Sequence, residues 1–218
     1  IFTTCIETIY GITFMVLAPD GEIVKGLMDR VENKEEVQAY VDETLKKNDM
    51  DRTELNKTKS GCPLKGLYAI NPVNGKEVPL FIGDFVLASY GTGAVMAVPS
   101  HDQRDFEYAI AHNIDMIQVI EGRDVSECAF EKKDYLGKGC KLINSEEFTG
   151  LTVEEAKEAI TVKLENKGVA RRKVNYHFRE WIFARQRYWG EPVPCVYKED
   201  GEIYFIPDEE LPLVLPEL

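Results

Sequence analysis

Gly91-Thr92-Gly93-Ala94-Val95-Met96-Ala97-Val98-Pro99-Ser100-His101-Asp102-Gln103-Arg104-Asp105 is the stretch on which the reading of this chain turns. Two glycines let backbone come close to a ligand, and the apolar run Ala94 to Val98, of small and β-branched residues, predicts a short buried strand. Pro99 ends it. Ser100 followed three residues later by Gln103 is a capping-box pattern, which predicts a helix from His101 through Phe106, Ala109 and Ile110 to about His112. Asp102 and Asp105 then share one helix face near the positive end of the dipole, where both are expected to stay ionised. A carboxylate there, beside a glycine-lined strand end, suits an organic cation such as the ammonium group of an amino acid. Spacing alone also allows the plainer reading, that the two aspartates cap and solvate a surface helix.

Composition narrows the classes. The chain has 218 residues, 44% of them hydrophobic, enough for one domain with a proper core or one domain plus a fragment. No apolar run reaches the roughly 18 residues of a membrane span, and Ile1-Phe2-Thr3-Thr4 has no basic region of a signal peptide. A cytoplasmic piece of a longer protein is expected, without membrane contact and as a monomer. Cys5, Cys62, Cys128, Cys140 and Cys195 form no Cys-x-x-Cys pair, so free thiols and no metal are expected. The formal net charge of -12, from 26 basic and 38 acidic residues, argues against broad non-specific nucleic-acid binding and leaves only local contact.

The string from Gly91 through Asp105 and on to Phe106-Glu107-Tyr108-Ala109 closely resembles the signature of the editing domain, connective peptide 1, of bacterial-type leucyl-tRNA synthetase. The isoleucyl and valyl enzymes carry a similar glycine strand but usually lack the Met-Ala-Val-Pro-x-His-Asp-x-Arg-Asp continuation. The resemblance implies hydrolysis of the ester between tRNA for leucine and a wrong amino acid such as norvaline or isoleucine. Asp105 would bind the α-ammonium group and fix the ester carbonyl near Thr3 and Thr4. The bulk of Thr8 would keep leucine out. Backbone around Gly93, Val95 and Met96 would hold the terminal adenosine, with Tyr90, His101 and Asp102 completing the substrate-binding set. His101 reads as a cap or rim residue rather than a general base, and water as the nucleophile. No cofactor is expected for editing; ATP and Mg belong to the full-length synthetase, and neither the His-Ile-Gly-His nor the Lys-Met-Ser-Lys-Ser motif of adenylate formation occurs here. The expected partners are the 3′ end of mischarged tRNA and the remainder of the synthetase chain. The competing reading is a catalytically silent insertion that only docks tRNA or supports the synthetase.

The first segment, Thr3-Thr4-Cys5-Ile6-Glu7-Thr8-Ile9-Tyr10-Gly11, stands where the family has Thr-Thr-Arg-Pro-Asp-Thr followed by an aliphatic or aromatic pair and Gly. Cys5 replaces the arginine, and neither a thiol nor Ile6 can pair with phosphate. Ile1 to Thr4 is expected as a strand, as are Thr13 to Leu17, Lys65 to Ile70, Val78 to Leu87 and Met116 to Ile120. Val31 to Lys47, with Asn33 as N-cap, and Thr152 to Lys167, capped by Thr152 and Glu155 and ended by Gly168, are expected as helices. Asn71 to Gly75 is a turn. The segment Arg179 to Pro194 gathers both tryptophans and three arginines and reads as packing against a neighbouring domain rather than an RNA platform. Residues 1-175 are thus expected as the editing domain and 176-218 as the return into the synthetic domain, ending in a hairpin turned by Asp200-Gly201. The whole predicts a mixed α/β fold: by resemblance, a barrel-like mixed β-sheet surrounded by helices, with a short C-terminal β appendage.

Overall fold

A computed structural model describes residues 1–47, 52, 60–89, 91–174 and 194–211. By contact the chain divides into two compact units, Ile1–Arg172 and Lys173–Leu218. The larger unit is built on a four-stranded mixed sheet. Its strands are β1 (Phe14–Leu17), β2 (Gly61–Ile70), β3 (Glu77–Gly83) and β4 (Ala94–Ala97), in the order β2-β3-β1-β4. β1 runs parallel to β3 and antiparallel to β4, and β2 and β3 form an antiparallel hairpin. Helices given by the described residues are α1 (Glu22–Leu27), α2 (Lys34–Thr44), α3 (Gln103–His112), α4 (Lys132–Tyr135) and α5 (Val153–Asn166).

β1 is central and apolar throughout, so both of its faces are covered. Phe14 and Val16 point to one side, where Phe81, Ala97, Tyr108 and Ala109 pack and α3 closes the layer. Leu17 joins Val24, Val37, Leu64 and Ile82 on the other side. Met15 and Met96, directly paired across β1 and β4, border a third cluster that holds Ile9, Tyr10, Val98, Ile120, Leu142, Ile160 and Leu164. Period-two alternation therefore sends Val95 and Met96 to opposite faces of the sheet. The β2–β3 hairpin turns at Asn71, whose side-chain amide donates to Ile9 O at 2.9 Å while its backbone N–H bonds Lys76 O.

Three expectations change. The sheet is open, not a barrel: β2 and β4 are its two end strands, and no further strand joins them among the described residues. Two of the strands expected to extend it do not form. Ile1 to Thr4 is irregular and leads into a 3-10 helix, Ile6–Gly11, because threonine side chains there bond local backbone in place of a ladder. Met116 to Ile120 contributes only a bridge from Ile120 to Leu142. The helix after β4 starts at Gln103, not His101, with Asp102 as N-cap accepting from the N–H groups of Arg104 and Asp105. Ser100, expected to cap it, is fully buried two residues too early. α5 has its capping box at Thr152 and Glu155 and ends before Gly168 at φ 70°. Asn33 is the N-cap of α2 as expected, but its side chain makes no capping bond; its amide donates to Pro63 O at 2.9 Å and ties α2 to β2.

In the smaller unit, β5 (Cys195–Tyr197) and β6 (Ile203–Phe205) pair antiparallel around a turn in which Gly201 has φ 85°. The aromatic-arginine block, apart from Pro194, lies outside the described residues, as does Tyr90.

Candidate functional site

The threonine segment is a tight turn held by its own side chains. Cys5 N–H donates to Thr3 Oγ1 at 3.0 Å, and Cys5 C=O accepts from Thr8 N–H at 3.2 Å and Thr8 Oγ1 at 2.9 Å. Thr3 and Thr8 thus shape the turn while Thr4 stays exposed, its hydroxyl beside the Cys5 thiol. Thr8 is 2% exposed, so its methyl is fixed in position and stiff at χ1.

Asp105 sits in the first turn of α3, and its Oδ2 accepts the N–H of Val98 at 2.8 Å. The β1–β4 register explains why that N–H is available. Ala18 N–H donates to Gly93 O at 2.8 Å, which makes 18 and 93 a hydrogen-bonded pair. By the antiparallel alternation, Val95 and Ala97 then face β1, whereas the N–H groups of Met96 and Val98 point away from it along the open edge. Asp105 takes the second of these. The other Asp105 oxygen has no hydrogen-bond partner among the described residues.

The expectation that both aspartates stay ionised needs correction. Burial, helped by the negative charge of Asp102, pushes the Asp105 carboxyl up to about 7 against the opposing pull of Val98 N–H and the Arg104 guanidinium. Walls of protein outweigh the helix dipole here. Asp102 is different: it is occupied as the N-cap and as the partner of Arg104 at 3.2 Å.

Close packing joins the turn to this strand end. A Cβ on Gly11 would lie 3.0 Å from Val98 Cγ1, 3.0 Å from Ile117 O and 3.1 Å from Val119 Cγ2, and a Cβ on Gly91 would meet Phe2 Cβ at 3.8 Å. Ile6 and Met96 border the same apolar cluster. The turn therefore runs alongside the Gly91 to Val98 stretch on its Met96 face. Gly93, buried at φ 66°, lets the loop enter β4, with Ala18 Cβ only 3.5 Å from where its own Cβ would be. Val95 turns its side chain to the opposite face, so only its backbone belongs to this region.

His101 is 7% exposed and engaged on both ring nitrogens. Nδ1 bonds Phe130 O at 2.9 Å and Nε2 bonds the N–H of Val119 at 3.0 Å. The Val119 N–H requires Nε2 as acceptor, so the ring is neutral with its proton on Nδ1, and burial lowers its pKa further. It is a structural pin. No group of three His, Cys, Asp or Glu side chains among the described residues is placed to hold a metal ion.

Sequence reasoning missed two partners of the turn. Glu7, fully buried, accepts from the Tyr135 hydroxyl at 3.3 Å through Oε1, while its Oε2 has no partner among the described residues. Tyr135 in turn packs edge-on against His101, ring centroids 5.9 Å apart. Lys157 on α5 donates to Thr4 O at 3.1 Å. These pairs are 128 and 153 residues apart in the chain, and no local pattern announces them.

A carboxylate at a helix mouth, an outer strand edge and a hydroxyl-bearing turn thus lie in one region of the larger unit. Residues 1–165 match the family model described as leucyl-tRNA synthetase, editing domain, and the chain belongs to that family. It is also similar to the leucyl-tRNA synthetase agnB2 of Agrobacterium radiobacter K84, solved as a ternary complex with tRNA and LeuAMS. The identity is 28% and the TM-score 0.58, over 99% of this chain and 23% of the synthetase. The chain thus spans about a quarter of that enzyme's length.

Proposed function

We propose that this chain is the editing module of a leucyl-tRNA synthetase and hydrolyses the ester of leucine tRNA charged with norvaline, isoleucine or a similar wrong amino acid. One methylene gives an apolar pocket only about 1 to 3 kcal/mol of discrimination, so a second, hydrolytic site is needed. The observation that carries the reading is Asp105, held at the open edge of β4 with one oxygen on Val98 N–H and the other without a partner among the described residues. The α-ammonium group docks on that free oxygen and restores the carboxylate's charge. Thr3 and Thr4 hold the ester carbonyl, and Thr8 is the steric gauge.

The outward N–H and C=O of Met96 seat the terminal adenosine, and the backbone of Gly93 and Val95, bonded towards β1, holds that edge in place. Asp102 and His101 keep the helix mouth in shape, and Tyr90 is the remaining member of the set. Water is the nucleophile. Positioning supplies most of the acceleration, worth up to about 7 to 11 kcal/mol in favourable cases. ATP and Mg serve only the aminoacylation step of the complete synthetase, whose remaining domains and tRNA are the partners of this module.

The test is a deacylation assay of the 218-residue chain with norvalyl-tRNA for leucine. Release of norvaline above the buffer rate, with leucyl-tRNA spared, is expected. Binding of tRNA without release would establish the silent docking module instead.

A further inference from the structure

The threonine turn has no cation of its own. Residues 1–11 contain neither lysine nor arginine and include the carboxylate Glu7, in a chain of formal net charge -12. A polyanion approaching this turn is repelled unless another element supplies positive charge locally. α5 packs against the turn and does so through Lys157, whose Nζ donates to Thr4 O at 3.1 Å.

Among the described residues, Lys157 pairs with no carboxylate. Other cations on and after this helix are engaged: Lys163 pairs with Glu147, Arg172 pairs with Glu158 and Glu165, and Lys167, like Lys157, donates to a backbone carbonyl, Pro72 O, at a distance from the threonine turn in sequence. The Lys157 ammonium has three donors, and the carbonyl uses one. Its helix is rigidly seated, with Ala156 and Ile160 fully buried on either side of it in sequence and a capping box at its start. The lysine stem is half-buried. A half-buried cation fixed on a backbone carbonyl, with free donors and no counter-charge, is suited to an anion.

We propose that Lys157 binds the phosphate of the terminal nucleotide whose ester the site holds. This rests on the editing reading. In that nucleotide the ribose bearing the ester also bears the 5′ phosphate, so a phosphate arrives beside the threonine pair whenever the ester does. Lys157 acts on binding and does not touch the reacting carbonyl.

The test compares two substrates on the full chain: norvalyl-tRNA, and the norvalyl ester of plain adenosine, which has no phosphate. Lys157→Ala raises KM for the tRNA about 2- to 5-fold, the range of a partly exposed charge pair, with kcat unchanged. It leaves hydrolysis of the adenosine ester unchanged, and Lys157→Arg restores tRNA use. The slope of log(kcat/KM) against log[salt] becomes shallower by about 0.7, one single-strand phosphate contact. Equal loss on both substrates would show that Lys157 merely supports the Thr4 carbonyl, and no loss on either would remove it from binding; each overturns the proposal. A parallel anisotropy titration with a labelled CCA trinucleotide reads the same contact without catalysis. If the wild-type chain hydrolyses neither ester, the editing reading fails by itself, and the trinucleotide titration of Lys157→Ala against wild type still decides the phosphate contact.

Discussion

Asp105 and Val98 form a clasp: the carboxylate on the first turn of α3 accepts, at 2.8 Å, the amide N–H of the first residue beyond β4. Strand end and helix start are locked together by this group, whose other oxygen has no hydrogen-bond partner among the described residues. Removing that group should separate fold from function. Asp105→Ala abolishes deacylation of mischarged tRNA, while circular dichroism and the thermal midpoint report an intact fold. Unchanged deacylation would remove the ammonium contact from the mechanism.

Asp105→Asn keeps the acceptor for Val98 N–H and deletes the charge. The folded pKa of Asp105, about 7, lies above the ordinary 3.8, so the folded state holds the proton more tightly than the unfolded one. Asp105 therefore costs stability progressively as pH rises from about 4 to 7, and the cost is complete above 7. Thermal melts should show Asp105→Asn more stable than wild type at pH 8 and nearly equal to it at pH 4. The variant loses editing throughout.

Ammonium binding needs ionised Asp105 and a protonated amine. The pH profile of kcat/KM should rise through about 7 as Asp105 loses its proton, then fall as the substrate ammonium, with an ordinary α-amino pKa of about 7.7 to 8.0, loses its own. A profile flat between pH 6 and 8 would contradict this.

Thr8 combines bulk with a hydrogen bond to Cys5 O. Thr8→Val keeps the bulk and should still spare leucyl-tRNA. Thr8→Ala opens the space of a methyl and hydroxyl and should let leucyl-tRNA be cleaved, as read by release of labelled leucine. If the valine variant also cleaves leucyl-tRNA, the hydrogen-bonded shape of the turn, and not its bulk, sets the limit.

Glu7 and Tyr135 form a buried pair in which the carboxylate has a single protein donor among the described residues. Tyr135→Phe removes that donor and should cost about 1 to 3 kcal/mol, because the carboxylate is left buried and unpaired. Combining it with Glu7→Leu should recover part of the loss, since no polar group then remains buried. A double-mutant cycle from urea melts measures the coupling.

Local features were the legible ones. The strand, its proline stop and the carboxylate of Asp105 lie within 15 residues, so spacing alone placed them at one helix mouth. Two cap candidates, Ser100 and Asp102, compete for the helix start; burial removes Ser100 and leaves Asp102, only partly buried, to cap. The strand expected at Ile1 to Thr4 failed for a similar reason: threonine is a strand former by propensity, but hydroxyls that reach nearby backbone favour a turn. The helix dipole favours an ionised Asp105, and burial overrides it. The contacts Glu7–Tyr135 and Thr4–Lys157 depend on how α4 and α5 fold back on the turn, and no window of sequence contains both partners.

The flank of β4 that would seat an adenosine is only one residue long. Ala94 C=O already accepts from Thr92 Oγ1 at 3.3 Å, and Val98 N–H is taken by Asp105, so Met96 alone is left between them. A foreign strand needs several consecutive donors and acceptors to gain a hold, and a single pair offers too little. The same two side chains thereby guard this end strand of the sheet against pairing with a strand of another molecule.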